Sequence, residues 1–209
     1  MNQNDKEMLL RLGAGESIES ICAANGITVE FFRTWWQEQI AVRVPVMDGG
    51  RNVQVQDKVE ILRDQWGVPH IFARTDPDLF FGYGYTMAQD RLWQLDYYRR
   101  KAMGRLSEIL GSDGLENDIV VRTVGINRIA QQELTRIPSN TLSRLEAFSQ
   151  GINALMEETR DCLPIEFDLL GYEPEPWSPL DSVAIWGEFR WYLTGRLPVI
   201  AIPEFAKRT

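Results

Sequence analysis

The sequence predicts a mostly helical chain carrying one short β-hairpin. Apolar residues recur at helical spacing in successive blocks, and glycines, prolines and capping residues stand at the block ends. Two-residue alternation at Val53 and Val55 leads into a β reading that ends at Phe72. The chain has 209 residues, 44% hydrophobic and 25% charged, an ordinary globular balance with length enough for a real core.

Met8, Leu9 and Leu12 share one face of a first helix, which Gly13 and Gly15 end. Ser17 is an N-cap for a second helix with Ile18, Ile21 and Cys22 on its apolar face, and Gly26 breaks it. Thr28 opens a third helix through Phe31, Phe32, Trp35 and Trp36. Helix, glycine turn, helix is the outline of a helix-turn-helix appendage over residues 1–40. Residues 41–57 read as a connector with a turn at Asp48, Gly49 and Gly50.

Val59, Ile61 and Leu62 then form one strand, Asp64 to Gly67 a turn, and Val68, His70, Ile71 and Phe72 a second strand. From Asp76 the pattern is helical, capped by Asp76 or Thr75, with Pro77 near the first turn and Gly111 as the stop. Gly82 and Gly84 in GYGYT suit close helix packing beside the Tyr rings. A further helical block covers 117–136, and another runs from Ser139 to Thr159. Pro164 to Pro179 reads as a Pro- and aromatic-rich loop, after which Asp181 caps a last helix through Leu193.

Chemistry is constrained by scarcity. Two cysteines, Cys22 and Cys162, make no disulfide framework and no zinc site. His70 is the one histidine, expected half-buried and bonded to backbone or a carboxylate, and no spacing supplies it with a nucleophile. The 22 basic against 30 acidic side chains, net −8, oppose nucleic-acid binding. Residues 1–40 share that bias, with Lys6, Arg11 and Arg33 against Asp5, Glu7, Glu16, Glu19, Glu30 and Glu38. MNQNDKEMLLRL has no apolar core of a secretory signal and no window is long and apolar enough for a span, so the expectation is a cytoplasmic protein off the membrane. An aromatic-rich helical chain without a complete catalytic set is either no enzyme or one whose reacting groups lie on another polypeptide.

VEILRDQWGVPHIFA (59–73) followed by LFFGYGYTMAQDRLWQLDYYRRKAMGRLSEILG (79–111) resembles the opening of the penicillin acylase family of N-terminal nucleophile hydrolases. FSQGINA (148–154) and LPIEFDLLGYEPEPWSPLD (163–181) resemble that family's next two stretches, in the same order. The resemblance covers about residues 57–200, and residues 1–50 lie outside it. Taken with the residue pattern ahead of it, this gives three segments: the 1–40 appendage, the 41–57 connector and a 58–209 acylase-type region.

The resemblance further implies an α+β fold, in which a mostly helical α chain completes an αββα sandwich built mainly by a separate β chain. Both chains come from one self-cleaving precursor, a zymogen, and the large β chain is the partner. The nucleophile is that chain's N-terminal residue, with its own α-amino group as base. No catalytic residue is therefore expected in this chain, which begins with Met1.

The implied activity is hydrolysis of small N-acyl amides other than peptide bonds. One form is a succinyl or glutaryl group on an amino acid or β-lactam amine. The alternatives are a long-chain or acyl-homoserine-lactone acylase of the same family, and a non-enzymatic helix-turn-helix regulator.

In this resemblance the acyl pocket uses the helix after Trp177-x-Pro179-x-Asp181. An ungapped count puts Arg190 at a pocket Met of a phenylacetyl-specific member, and Leu193 and Thr194 at an Arg and a Phe. With Trp186 and Phe189 these are the expected substrate-binding residues, and Arg190 suits an acyl carboxylate. The alternative is an Arg190 turned to solvent or to Glu188. No organic cofactor is expected. A calcium ion at the contact of the two chains is implied, and because Ile200 at the direct position cannot ligate, Glu204 is the expected ligand.

Overall fold

A computed structural model describes residues 3–194 and 206–207. Three short helices open the chain: α1 (Gln3–Gly13), α2 (Ile18–Asn25) and α3 (Val29–Ala41). Ser17 and Thr28 are their N-caps, each hydroxyl accepting a hydrogen bond from the backbone N–H three residues on. Gly26 ends α2 in the left-handed conformation, at φ 64°. Met8, Leu9, Ile21, Cys22, Phe32 and Trp35 form a shared core, while Ile18, expected on the apolar face of α2, is exposed, as is Phe31. The indole of Trp35 donates to Asp5 at 3.0 Å.

The hairpin pairs β1 (Glu60–Arg63) with β2 (Pro69–Phe72), antiparallel, with Ile61 opposite Ile71. Its turn is built by Asp64, whose carboxylate accepts from the backbone of Trp66 and Val68, and by Gly67 at φ 78°. Helix α4 (Asp76–Met103) follows, capped by the Thr75 hydroxyl, which accepts from the Asp78 N–H. The spacing predicts one helix to Leu110. The structure instead departs from helical geometry at Arg91 and turns at Gly104, φ 67°, before the single turn α5 (Ser107–Leu110). Asp118 explains the second break. Its buried carboxylate accepts from the backbone N–H of Leu106 and Ser107 and from the Ser107 hydroxyl, a cap delivered from the next helix.

The expected block at 117–136 is likewise two helices, α6 (Leu115–Val124) and α7 (Ile126–Leu134), divided by Gly125 at φ 80°. Helix α8 (Ser139–Glu158) matches its expected span to one residue. The stretch expected as a loop holds a short helix, α9 (Ile165–Leu170), because Phe167 is fully buried and packs edge-on against Tyr172. Helix α10 (Pro179–Thr194) is last. In all, the described residues are mostly helical with one two-stranded sheet.

The chain divides into two compact units. One comprises Met1–Asp96 with Ser143–Trp177, the other Tyr97–Leu142 with Ser178–Thr209. In the first, α1 abuts α9, and Ile165 and Leu169 pack on the core of the opening helices. Residues 3–41 thus share a unit with the stretch 143–177. Two glycines bring α4 and α8 into backbone contact. A Cβ on Gly84 would stand 2.0 Å from the Phe148 carbonyl oxygen, and one on Gly151 2.0 Å from that of Phe81. Gly82 serves a different approach: its missing Cβ leaves room for Val59 and Ile71 beside the hairpin.

Asn153 clamps the backbone of buried Trp177, donating to its carbonyl at 2.9 Å and accepting from its N–H at 2.7 Å. The two family-like stretches 148–154 and 163–181 therefore meet at a single side chain.

Arg51 ties the connector down. It donates to Glu158 and to the carbonyls of Val46 and Asp48, and Tyr85 donates its phenol to the other oxygen of Glu158 at 2.6 Å. Burial, then the hydrogen bond to the Glu158 carboxylate, pushes the Tyr85 phenol up to about 12, against about 10 unfolded. A group raised on folding gives its full stability below the unfolded value and loses it as pH rises through the folded one. Between pH values of about 10 and 12, the wild-type protein is therefore expected to lose stability that a Tyr85→Phe variant does not lose. Melting temperatures of the complete protein at about pH 9 and pH 11, on either side of the free phenol's pKa, measure it. Equal losses would mean an ordinary, solvated phenol.

Candidate substrate-binding face

The residues expected to bind substrate all lie on α10. Its first turn is a capping arrangement in which Ser178 stands at the cap position and Asp181 three residues on. The Asp181 carboxylate reaches back to accept from the Ser178 N–H at 2.6 Å and hydroxyl at 2.8 Å. Asp181 is therefore not the cap itself, which corrects the expectation. Pro179 occupies the first helical position, where its missing N–H has no cost. Asp181 is buried, with the buried Arg99 guanidinium 3.9 Å away.

One side of α10 packs on α7. Val183 and Ala184 are buried, and Gly187 lets Ile126 approach, its Cβ position being 3.6 Å from the isoleucine methyl. Glu188 is nearly buried and takes Lys101 at 2.9 Å, so it is not the partner of Arg190. The Lys101 ammonium also stands over the Tyr98 and Tyr192 rings.

The other side is aromatic and open. Trp186 is 57% exposed, Phe189 48% and Leu193 51%, at spacings that put them on one face. The Trp186 and Phe189 rings lie 6.5 Å apart, and the Arg190 guanidinium sits 5.9 Å from the Trp186 ring centre. Trp186, Phe189 and Arg190 are thus brought together, with Leu193 one turn on. Thr194 is not part of this group in its side-chain bonding, because its hydroxyl donates back to the Trp191 carbonyl at 2.9 Å. Arg190 is held by Glu133 of α7, with Nη2 2.7 and 2.6 Å from the two carboxylate oxygens. No periodicity joins residues 57 positions apart, so the sequence carried no signal for this pair.

Glu204 lies outside the described residues. Among the described residues, no group of three or more His, Cys, Asp or Glu side chains is placed to hold a metal ion. His70 is exposed rather than half-buried, because the short hairpin turns that face to solvent. Its Nε2 lies 3.5 Å from Asp64. No helix of the described residues is long and apolar enough to cross a membrane.

A family model described as penicillin amidase matches residues 58–202, well over half of the chain. The chain belongs to the penicillin amidase family. Among the family's members, it is 37% identical over 150 residues to the penicillin acylase 2 proenzyme of Pseudomonas sp. (strain SE83), a match that covers 71% of this chain and 19% of the relative. It is 31% identical over 178 residues to the acyl-homoserine lactone acylase QuiP of Pseudomonas aeruginosa, covering 85% and 20%. A solved thermostable penicillin G acylase from Alcaligenes faecalis matches with a TM-score of 0.63 and 33% identity, covering 72% of this chain and 81% of that one. The chain spans about a fifth of the length of the curated relatives it matches. This penicillin amidase family chain is therefore similar to acylases in sequence and in fold.

Proposed function

We propose that this chain is the small α chain of a two-chain acylase that hydrolyses N-acyl amides. One observation carries the reading. The chain accounts for 81% of a chain in a solved penicillin G acylase, yet for only 19% of a relative named as a proenzyme. A separate small chain cut from a larger precursor is the economical account of both figures. The large chain would supply an N-terminal Ser, Thr or Cys as nucleophile. Its α-amino group, with an ordinary pKa of about 7.7–8.0, takes the hydroxyl or thiol proton near neutral pH. The nucleophile adds to the acyl carbonyl, the proton passes to the departing amine, and water then frees the acid.

In this reading the open face of α10 lines the acyl pocket. Trp186, Phe189 and Leu193 supply apolar surface, and Arg190 engages a short acyl group that ends in a carboxylate, with Thr194 at its margin. The aromatic exposure of α10 also suits a longer neutral acyl chain, as the resemblance to an acyl-homoserine lactone acylase suggests. Hydrolysis rates across acyl groups of rising length separate the two. Calcium at the contact with the large chain, with Glu204 giving one oxygen and the large chain the others, belongs to the same proposal. No step of the reaction runs through it.

The test is expression of the complete gene. The expected product is two chains, this one and a larger one whose N-terminal residue, read by sequencing, is Ser, Thr or Cys. An uncut precursor that is fully active would overturn the proposal.

A further inference from the structure

The Arg190–Glu133 pair has a geometry that bears on acyl selection, given the reading of Arg190 above. A guanidinium recognises a carboxylate best through two parallel N–H bonds, one from each of two nitrogens. Glu133 is held otherwise, with both of its oxygens on the single nitrogen Nη2. The Nε and Nη1 edge of the fork makes no hydrogen bond among the described residues. Both partners are partly open, Arg190 at 44% and Glu133 at 34% of side-chain surface. The guanidinium therefore keeps an unused face beside the Trp186 ring while its charge is compensated from α7.

We infer that Glu133 is a specificity-determining residue, an internal counter-charge that holds down the preference for carboxylate-ended acyl groups. An acyl carboxylate arriving at Arg190 meets a neutralised cation and, within a few ångströms, a second carboxylate. It gains less than a lone arginine would give it, and it is repelled by Glu133 besides. A neutral acyl group of the same length feels neither effect. Glu133 touches no reacting atom in this account. It acts through Arg190, so its effect falls on KM for the anionic substrate and leaves kcat nearly alone.

The experiment uses the complete protein expressed from its whole gene and two chromogenic anilides, glutaryl and its neutral counterpart pentanoyl. The readout is the ratio of kcat/KM for glutaryl over pentanoyl. Glu133→Gln keeps the shape and removes the charge, and Glu133→Ala removes both. Each is expected to raise the ratio by about fivefold, through a lower KM for glutaryl. An unchanged or lowered ratio in both variants, with Arg190→Ala still lowering it, overturns the role of Glu133 and spares that of Arg190. An unchanged ratio in Arg190→Ala overturns the pocket role of Arg190, and the inference falls with it. No cleavage of either anilide by wild type overturns the short-acyl reading of the pocket, and the inference falls with it.

Discussion

Gly151→Ala is expected to cost the complete protein at least about 3 kcal/mol, the upper range for overpacking a filled core, or to leave no soluble protein. The added methyl would sit 2.0 Å from the Phe81 carbonyl oxygen and 2.7 Å from the Tyr85 nitrogen. Both are backbone atoms of α4, so no side chain can swing aside. The helices themselves would have to separate, and the buried rings of Phe81 and Tyr85 would lose packing with them. Gly84→Ala attacks the same contact from the other helix, through the Phe148 carbonyl, and should match it. Gly50→Ala is the control, because a Cβ there meets nothing within 4 Å and its φ is outside the glycine-only region. Urea midpoints of the variants decide it. If Gly151→Ala and Gly50→Ala unfold at the same concentration, α4 and α8 are not in backbone contact.

How much of this was legible follows from the range of each interaction. Ser17, Gly26 and Thr28 act within three or four residues, and the sequence reading places each where the structure does. The Asp64–Gly67 turn is equally local. The hairpin and the close approach at Gly84 were likewise readable as patterns. Helix α9 was not, because six residues hold no helical period and the deciding fact is tertiary: Ile165 and Leu169 pack on the core of the opening helices, and Phe167 is buried. The breaks at Gly104 and Gly125 were missed for a related reason. A glycine inside an apolar helical pattern is compatible with continuation; at Gly104 it is the Asp118 cap on Leu106 and Ser107 that shows the chain turning, and at Gly125 the left-handed backbone. At the candidate site, Trp186, Phe189 and Arg190 share a face by simple periodicity. Their setting did not follow, since Glu133 and Lys101 come from other helices.

Arg190→Ala is expected to reduce kcat/KM for a succinyl- or glutaryl-type amide by roughly 100-fold or more, in keeping with about 3–5 kcal/mol for stranding one partner of a covered charge pair. Arg190 is 44% exposed in this chain, where such a pair is worth far less. The larger figure applies because, in the proposed pocket, the large chain and the substrate cover the aromatic face of α10 and exclude water from it. The loss falls on the substrate's carboxylate, which is left facing Glu133 without its cation. A neutral acyl amide leaves nothing stranded, and its kcat/KM should change only by what the lost packing on Trp186 contributes. Arg190→Lys separates charge from shape. It keeps the cation but not the planar fork, so it should recover part of the glutaryl rate and none of the geometric selectivity. Rate constants for both substrates across wild type and the two variants give the answer. An equal fall for anionic and neutral amides would make Arg190 a structural brace between α10 and α7, through Glu133. No fall for either would put this face of α10 outside the acyl pocket, and the pocket would have to be sought on another element.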